Sequence, residues 1–330
     1  MTTKTKRRSP KRRPHQKRKR QYRIRNWKEY NQALKQRGSL TFWLDEAALV
    51  GWCCQTKSGQ RGASYTYSQS AIVCALTLQA VYHLPLRATA GLLHSLFQLL
   101  GVVLPVPDYS TLSKRRKTLA VALPHYQAHH RLHLVVDATG FKVFGEGEWK
   151  VRQHGWSKHR TWIKLHLGLD AANGEIVAAV GSSRLIHEKA VLSDLLEQVA
   201  GEISGVYGDG GYDFMECYVA LAQRGARAVI PPRRNAVRQP AHDRRWQARN
   251  ANLERIHQLS RSRALGRQRW KVESGYHRRS LVETGIFRLK QLLGDKVSSR
   301  HFESQANELF IRCAALNRMT SLGMPQSYPV

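Results

Sequence analysis

Three acidic residues in this chain have the type and setting to hold a divalent cation: Asp137, Asp209 and Glu283. Asp137 ends the apolar run Leu132-His-Leu-Val-Val136, where an uncompensated carboxylate would be costly to bury. Asp209 follows Val206-Tyr207-Gly208 and precedes Gly210-Gly211, a turn in which backbone can approach a ligand closely. Strand-end aspartates also cap turns and helices, so the pair alone is a weak signal. Glu283 carries more information. Tyr276, Arg279 and Lys290 stand at −7, −4 and +7 from it. On one continuous helix, seven residues return within ~20° and four within ~40°, so all four would share a face. An Arg–Glu pair at i, i+4 is also common on ordinary surface helices, but it leaves Tyr276 and Lys290 unexplained. The chemistry that oxygen ligands and flanking cations suit is phosphoryl transfer. Two Mg²⁺ or Mn²⁺ ions about 4 Å apart activate a water or hydroxyl and stabilise the leaving oxygen. Arginine and lysine beside them would hold phosphates.

The elements that must position these residues can be read from pattern. Residues 132–136, 161–169, 175–180 and 226–230 read as strands, with a hairpin turn at Asp170, Asn173 and Gly174. Residues 189–199 and 214–223 read as helices, and a long helical region starts near Gln268 and carries Glu283. Strands alternating with helices predict an α/β layer with a mixed sheet. Other acids have local explanations: Asp170 belongs to the hairpin, Asp213 starts a helix, and Glu273 falls off the face of Glu283.

Upstream the texture is helical. Residues 68–82 and 86–100 are apolar helix candidates, with Gly101 as a stop. Ser110 can cap a short helix through Leu119 that carries Lys114, Arg115, Arg116 and Lys117. Three helices ending in a basic one are either a helix-turn-helix-like DNA reader or a plain helical subdomain with a solvated basic face.

Charge narrows the partner. The 330 residues carry 54 Lys/Arg against 23 Asp/Glu, a formal net charge of +31. Such a surface calls for a polyanion, with nucleic acid as the default. Residues 1–25 hold 13 of the cations, no acid, and Pro10 and Pro14, which predicts a disordered basic arm. Subtracting those 13 from +31 leaves +18, so the folded part is basic as well. A second basic stretch spans residues 233–271, with 12 Lys/Arg against Asp243 and Glu254. No unbroken apolar run approaches the ~20 residues of a membrane span, and no apolar segment follows the basic N-terminus as in a secretory signal. The five cysteines form no CxxC pair and the 15 histidines no zinc spacing, which predicts reduced thiols in the cytoplasm and no structural zinc.

At this point a family resemblance becomes specific. The chain resembles the bacterial DDE transposases of insertion-sequence family five. Their third acidic region reads Tyr, two residues, Arg, three residues, Glu, six residues, Lys. Tyr276, Arg279, Glu283 and Lys290 match every spacing. Val136-Asp137-Ala138-Thr139-Gly140 and Gly208-Asp209-Gly210-Gly211-Tyr212-Asp213 resemble the first two acidic regions, with Ala138 where Ser is more usual. Residues 26–31 and 37–41 resemble the family's N-terminal region, so the likeness runs from about Arg25 onward. It implies an RNase H-like mixed sheet flanked by helices, with Asp137, Asp209 and Glu283 as catalytic metal ligands. Tyr276, Arg279 and Lys290 would contact DNA there, and Lys114, Arg115, Arg116 and Lys117 would do so if the upstream helices form the DNA reader. It implies an enzyme that recognises the terminal inverted repeats of its own element, cleaves strands with two divalent ions, and joins the freed 3′-hydroxyl to target DNA.

The expected organisation is a basic arm at 1–25, a helical DNA-binding region at 26–130, and a catalytic domain at 131–330 with a basic insertion near 233–271. Double-stranded DNA, from element ends and target, is the expected partner. A homo-oligomer is expected when bound, since two ends must be held together. The expected location is the bacterial cytoplasm, at the nucleoid. A nuclease that cuts without joining would use the same carboxylates. A transposase-derived repressor would not need all three. A basic nucleic-acid chaperone would explain the charge and not the spaced motif.

Overall fold

The short apolar runs read from the sequence become one mixed sheet. The computed structural model describes residues 21–44, 46–55, 64–124, 131–143, 162–240 and 242–330. The first 20 residues of the basic arm lie outside the described residues. Its last five are not disordered. β1 (Tyr22–Ile24) pairs antiparallel with β8 (Ser327–Pro329), because Tyr22 and Ile24 alternate with polar residues where the cation run ends.

α1 (Trp27–Gln36), α2 (Leu40–Trp43) and α3 (Glu46–Val50) lead to α4 (Gln69–Val81) and α5 (Leu86–Leu99). The Ser68 hydroxyl caps α4 by accepting from the Ala71 amide, and Gly101 at φ +64° ends the turn after α5. α6 (Tyr109–Arg116) is capped by Asp108, which accepts from the Ser110 amide. Ser110, expected as the cap, sits inside the helix. The carboxylate two residues earlier is the stronger acceptor.

β2 (Leu132–Val143) is the central strand. It pairs antiparallel with β3 (Trp162–Asp170), which pairs antiparallel with β4 (Ile176–Ser183). On its other edge β2 runs parallel to β5 (Ile203–Tyr207), which runs parallel to β6 (Arg227–Val229). The spatial order 4-3-2-5-6, three antiparallel strands followed by two parallel crossovers, is the RNase H-like arrangement. α7 (Leu192–Gln198) and α8 (Met215–Gln223) provide the crossovers. α9 (Gln247–Leu259) and α10 (Arg263–Glu273) form a helical pair within the basic stretch.

After α10 the chain breaks. Ser274 is followed by Gly275 at φ +71°, then a 3-10 turn over Tyr276–Arg279 and α11 (Ser280–Leu293). The single long helix expected from near Gln268 is therefore two helices with a left-handed glycine between them. β7 (Lys296–Val297) and α12 (Phe302–Ser321) follow.

Each face of the sheet is covered. Leu134 and Val136 point to one side, where they meet Leu195 and Leu196 of α7 and Tyr218 and Leu221 of α8. Val135, Phe141, Leu165 and Leu167 point to the other, in a core shared with α11, α12 and the N-terminal helices, including Trp43, Ile72, Leu93 and Leu112. The helical region before residue 131 thus has no break in its core toward the sheet. No single described helix is long and apolar enough to cross a membrane; the apolar pair α4 and α5 is bent by 110°.

α11 lies close against β3 at Gly285. A Cβ on Gly285 would come within 2.4 Å of Leu169 Cδ2, and Leu169 is 1% exposed. Gly285→Ala should push α11, and Glu283 with it, off the sheet, at about 1–3 kcal/mol for overpacking. Circular dichroism melting should show a modest loss and cleavage assays a much larger one; unchanged activity would mean that Leu169 simply yields.

Candidate active site

β2 is longer than its apolar run. Asp137 lies mid-strand, paired with Leu167 of β3, rather than at a strand end. Two short neighbours share its opposite edge. β5 pairs with residues 132–135 and β7 with Lys142 and Val143. Between them, among the described residues, no strand covers that edge, and Asp137 sits in the opening.

Three elements bring groups to it. The Asp137 carboxylate accepts from the Ala138 amide (2.8 Å) and from Arg279 Nη2 (2.7 Å). Arg279 Nη1 donates to Glu283 Oε1. One guanidinium thus bridges the carboxylates of β2 and α11. Asp209 follows β5 and caps the 3-10 turn Gly210–Tyr212, accepting from the Gly211 amide at 2.7 Å. Gly208 lets the chain leave β5 there. A Cβ on it would lie 2.8 Å from the Tyr212 ring and 3.3 Å from Val136.

The electrostatics show mutual influence. Burial raises the Asp137 carboxyl above its ordinary value; the charges of Asp209 and Glu283 raise it further, against the Ala138 amide and Arg279. Tyr276 is also raised, by burial and by Asp209, Asp137 and Glu283. For Arg279, burial is outweighed by Asp137, Tyr276, Glu283 and Asp209, so its charge is held firmly. Arg279 bonds two of the carboxylates, Asp137 and Glu283, and feels Asp209 through its charge; no cluster of three or more acidic, histidine or cysteine side chains stands in ion-holding geometry among the described residues. The all-oxygen donor set suits a hard cation such as Mg²⁺ or Mn²⁺.

Lys290 lies two turns beyond Glu283 on α11. Its Nζ donates to the Gly140 carbonyl (2.9 Å), an acceptor on the uncovered edge of β2, and lies 5.1 Å from the Phe141 ring centroid. As placed, it ties α11 to β2 and gives no sign of a free phosphate contact. Tyr276 packs near Trp270 of α10, with ring centroids 6.1 Å apart. Arg278 reaches the Tyr207 hydroxyl (3.3 Å) and pins the 3-10 turn to β5.

The basic run on α6 divides. Lys114 and Lys117 are exposed. Arg115 donates to the Tyr67 carbonyl (2.8 Å) and stacks 3.9 Å over Tyr65. Arg116 is 3% exposed and is no DNA contact. It donates to Gln79 (2.5 Å) and Ser299 (2.9 Å) and pairs with Glu308 at 3.5 Å. Among the acids set aside, Asp213 is buried against Arg249, Tyr218 and the Arg233 amide, Asp170 accepts from the Ala172 amide of the hairpin, and Glu273 pairs with Arg255.

Sequence reading missed Tyr212. It is fully buried, and its hydroxyl has no hydrogen-bond partner. The available signal was its place three residues after Asp209, behind two glycines.

Comparison with known proteins gives this geometry a context. Residues 128–318 match a family model described as "Transposase DDE domain", and residues 35–146 match a second model of the same description. The chain is also similar to a cryo-EM structure of the piggyBac transposase synaptic complex with hairpin DNA. That match has 11% identity, 88% of this chain and 75% of the other covered, and a TM-score of 0.41, a likeness too slight to carry an inference. The first match alone spans well over half of the sequence and contains all three carboxylates: the chain belongs to the DDE transposase family.

Proposed function

We propose that this transposase binds the terminal inverted repeats of a bacterial insertion sequence and performs strand cleavage and strand transfer at Asp137, Asp209 and Glu283. The carrying observation is that carboxylates from β2, the turn after β5, and α11 gather in one opening around Arg279. Bound divalent ions, Mg²⁺ or Mn²⁺ and two in number, supply activation of the attacking oxygen and charge for the leaving one. Asp137 and Asp209 are fixed by backbone amides, so their orientation is set before a ligand arrives. Arg279 is placed to take a phosphate oxygen when the carboxylates engage cations. Tyr276 lies beside it to orient the strand, and Lys290 holds α11 on β2.

DNA is bound through the basic surface. Gln79, Arg87, Lys114, Lys117, Arg300 and His301 line an open groove of 1230 Å³ beside α6. Its exposed lysines suit backbone phosphates. The reaction joins two element ends, so the bound form is a homo-oligomer, acting at the nucleoid in the cytoplasm. The deciding experiment incubates the full chain with labelled element ends and Mg²⁺ and maps products. Cleavage at the ends followed by joining to a target supports the reading. Cleavage without joining makes the chain a nuclease, and binding without cleavage makes it a repressor.

The basic arm should add affinity without sequence choice. Each phosphate contact adds about −0.9 to the slope of log K against log salt, so if about five contacts form, deleting residues 1–20 should flatten it by ~4–5. Fluorescence anisotropy against salt measures this. An unchanged slope would remove the arm from DNA binding.

A further inference from the structure

Glu188 and Tyr212 border the site but have no part in the reading above. Glu188 opens a 3-10 turn (Glu188–Ala190) after β4, which packs against the Gly210–Tyr212 turn that Asp209 caps. A Cβ on Gly211 would lie 2.8 Å from Asp209 Oδ1 and 3.8 Å from Glu188 Oε2. The two carboxylates therefore face one point across a residue with no side chain. Glu188 is not loose. Lys164 of β3 donates to its Oε1 at 2.5 Å and to the Ile186 carbonyl at 3.1 Å. Burial disfavours the Glu188 charge, but the Lys164 bond and charge outweigh it, so the group stays ionised. A bond from its own backbone amide also holds the carboxylate, and its Oε2 lies on the side of Gly211 and Asp209.

Tyr212 supplies the independent observation. Its ring is fully buried against Gly208 and Val136, and its hydroxyl lacks a partner. The anions nearest in influence are Asp137, Glu188 and Asp209. A buried hydroxyl without a bond is a standing cost unless something completes it. The negative charges of Asp137, Glu188 and Asp209 all act on it, and a water held by a cation among them would complete it.

We propose that Glu188 is a fourth carboxylate of the site, held by Lys164, and that with the Tyr212 hydroxyl it binds the water shell of a divalent cation beside Asp209. Glu188 and Tyr212 are positioning residues: they act on the hydrated ion and touch no reacting phosphate. The inference rests on the metal reading above. It differs from a plain Lys164–Glu188 ion pair, which would need neither an oxygen turned toward Asp209 nor the tyrosine hydroxyl.

The test is Mn²⁺ binding to the full chain without DNA, followed by electron paramagnetic resonance, together with thermal melting. Glu188→Gln and Tyr212→Phe should each weaken Mn²⁺ binding by about 10-fold, the lower end for residues behind metal ligands. Glu188→Asp should recover part of the loss, which a role in packing alone would not produce. Tyr212→Phe keeps the ring and removes an unpaired hydroxyl, so its melting temperature should hold; it remains decisive if Glu188→Gln folds poorly. Wild-type Mn²⁺ affinity in Tyr212→Phe and in folded Glu188→Gln, with Asp137→Asn weakened, would overturn this inference and leave the metal reading standing. Wild-type affinity in Asp137→Asn as well would overturn both.

Discussion

Glu283→Gln should abolish strand cleavage while leaving the fold and DNA binding in place. The Glu283 side chain is 56% exposed, and its bond partner Arg279 keeps Asp137. An exposed i, i+4 pair contributes little, and surface changes of this kind stay within about 0.5 kcal/mol. Glutamine preserves shape and removes the charge that would hold a cation. Metal-ion charge stabilisation is worth several kcal/mol in the transition state, and each ~1.4 kcal/mol is tenfold in rate, so the loss should reach orders of magnitude. Asp137→Asn and Asp209→Asn should lose cleavage alike, and combining any two should add little, as for groups that act as a unit. Asp137→Asn has a second signature. Its folded carboxyl is raised by burial, even beside Arg279. Stability tied to a raised group is full below the unfolded value and is lost as pH rises through the folded one. At neutral pH without divalent ions the charged form is therefore a burden, and the neutral amide should melt no lower than wild type. Gel mapping of labelled ends and melting in chelator check both halves. Normal cleavage by folded Glu283→Gln would reduce the constellation to a surface ion pair.

Much of the site was legible because it depends on local spacing. The Tyr276, Arg279, Glu283, Lys290 register survives even though the helix does not. The 3-10 turn and α11 together keep Arg279 and Glu283 bonded as an i, i+4 pair would. The break falls at Ser274-Gly275, inside a stretch otherwise rich in helix-compatible residues, and Gly275 takes φ +71° there. The length of β2 was hidden for another reason. Its second half, Ala138-Thr-Gly-Phe-Lys-Val143, lacks an apolar run because one face lines the opening, and pairing with β3 and β7 specifies it as strand. Capped α4 and the hairpin at Gly174 followed local rules and were readable. Long-range pairs were not: β1 finds β8 some 300 residues away, and Lys290 finds the Gly140 carbonyl across 150.

Arg116→Met should destabilise the fold and leave specific DNA affinity per folded molecule unchanged. In sequence Arg116 is one of four consecutive cations and reads as part of a solvated face. In the fold it is 3% exposed, and Glu308, Gln79 and Ser299 come from α12, α4 and the strand-to-helix connection after β7. Burial pulls its pKa down, against Glu308, yet an arginine stays charged there. Removing it takes away the donor to the Gln79 side-chain Oε1 at the groove wall. It also leaves Glu308 to Arg312 and the Ser298 and Ser299 groups. Breaking a buried charge network by deleting one partner costs about 3–5 kcal/mol, and each kcal/mol is worth roughly 2–4 °C in a chain of this order. Lys114→Ala and Lys117→Ala give the contrast. Both side chains are exposed, so melting should not move, while the salt slope of DNA binding should fall by about one unit per lost contact. Calorimetry and anisotropy on the three variants separate the roles. A variant at Arg116 with wild-type melting and weakened DNA binding would return this residue to the surface face and refute its place in the core.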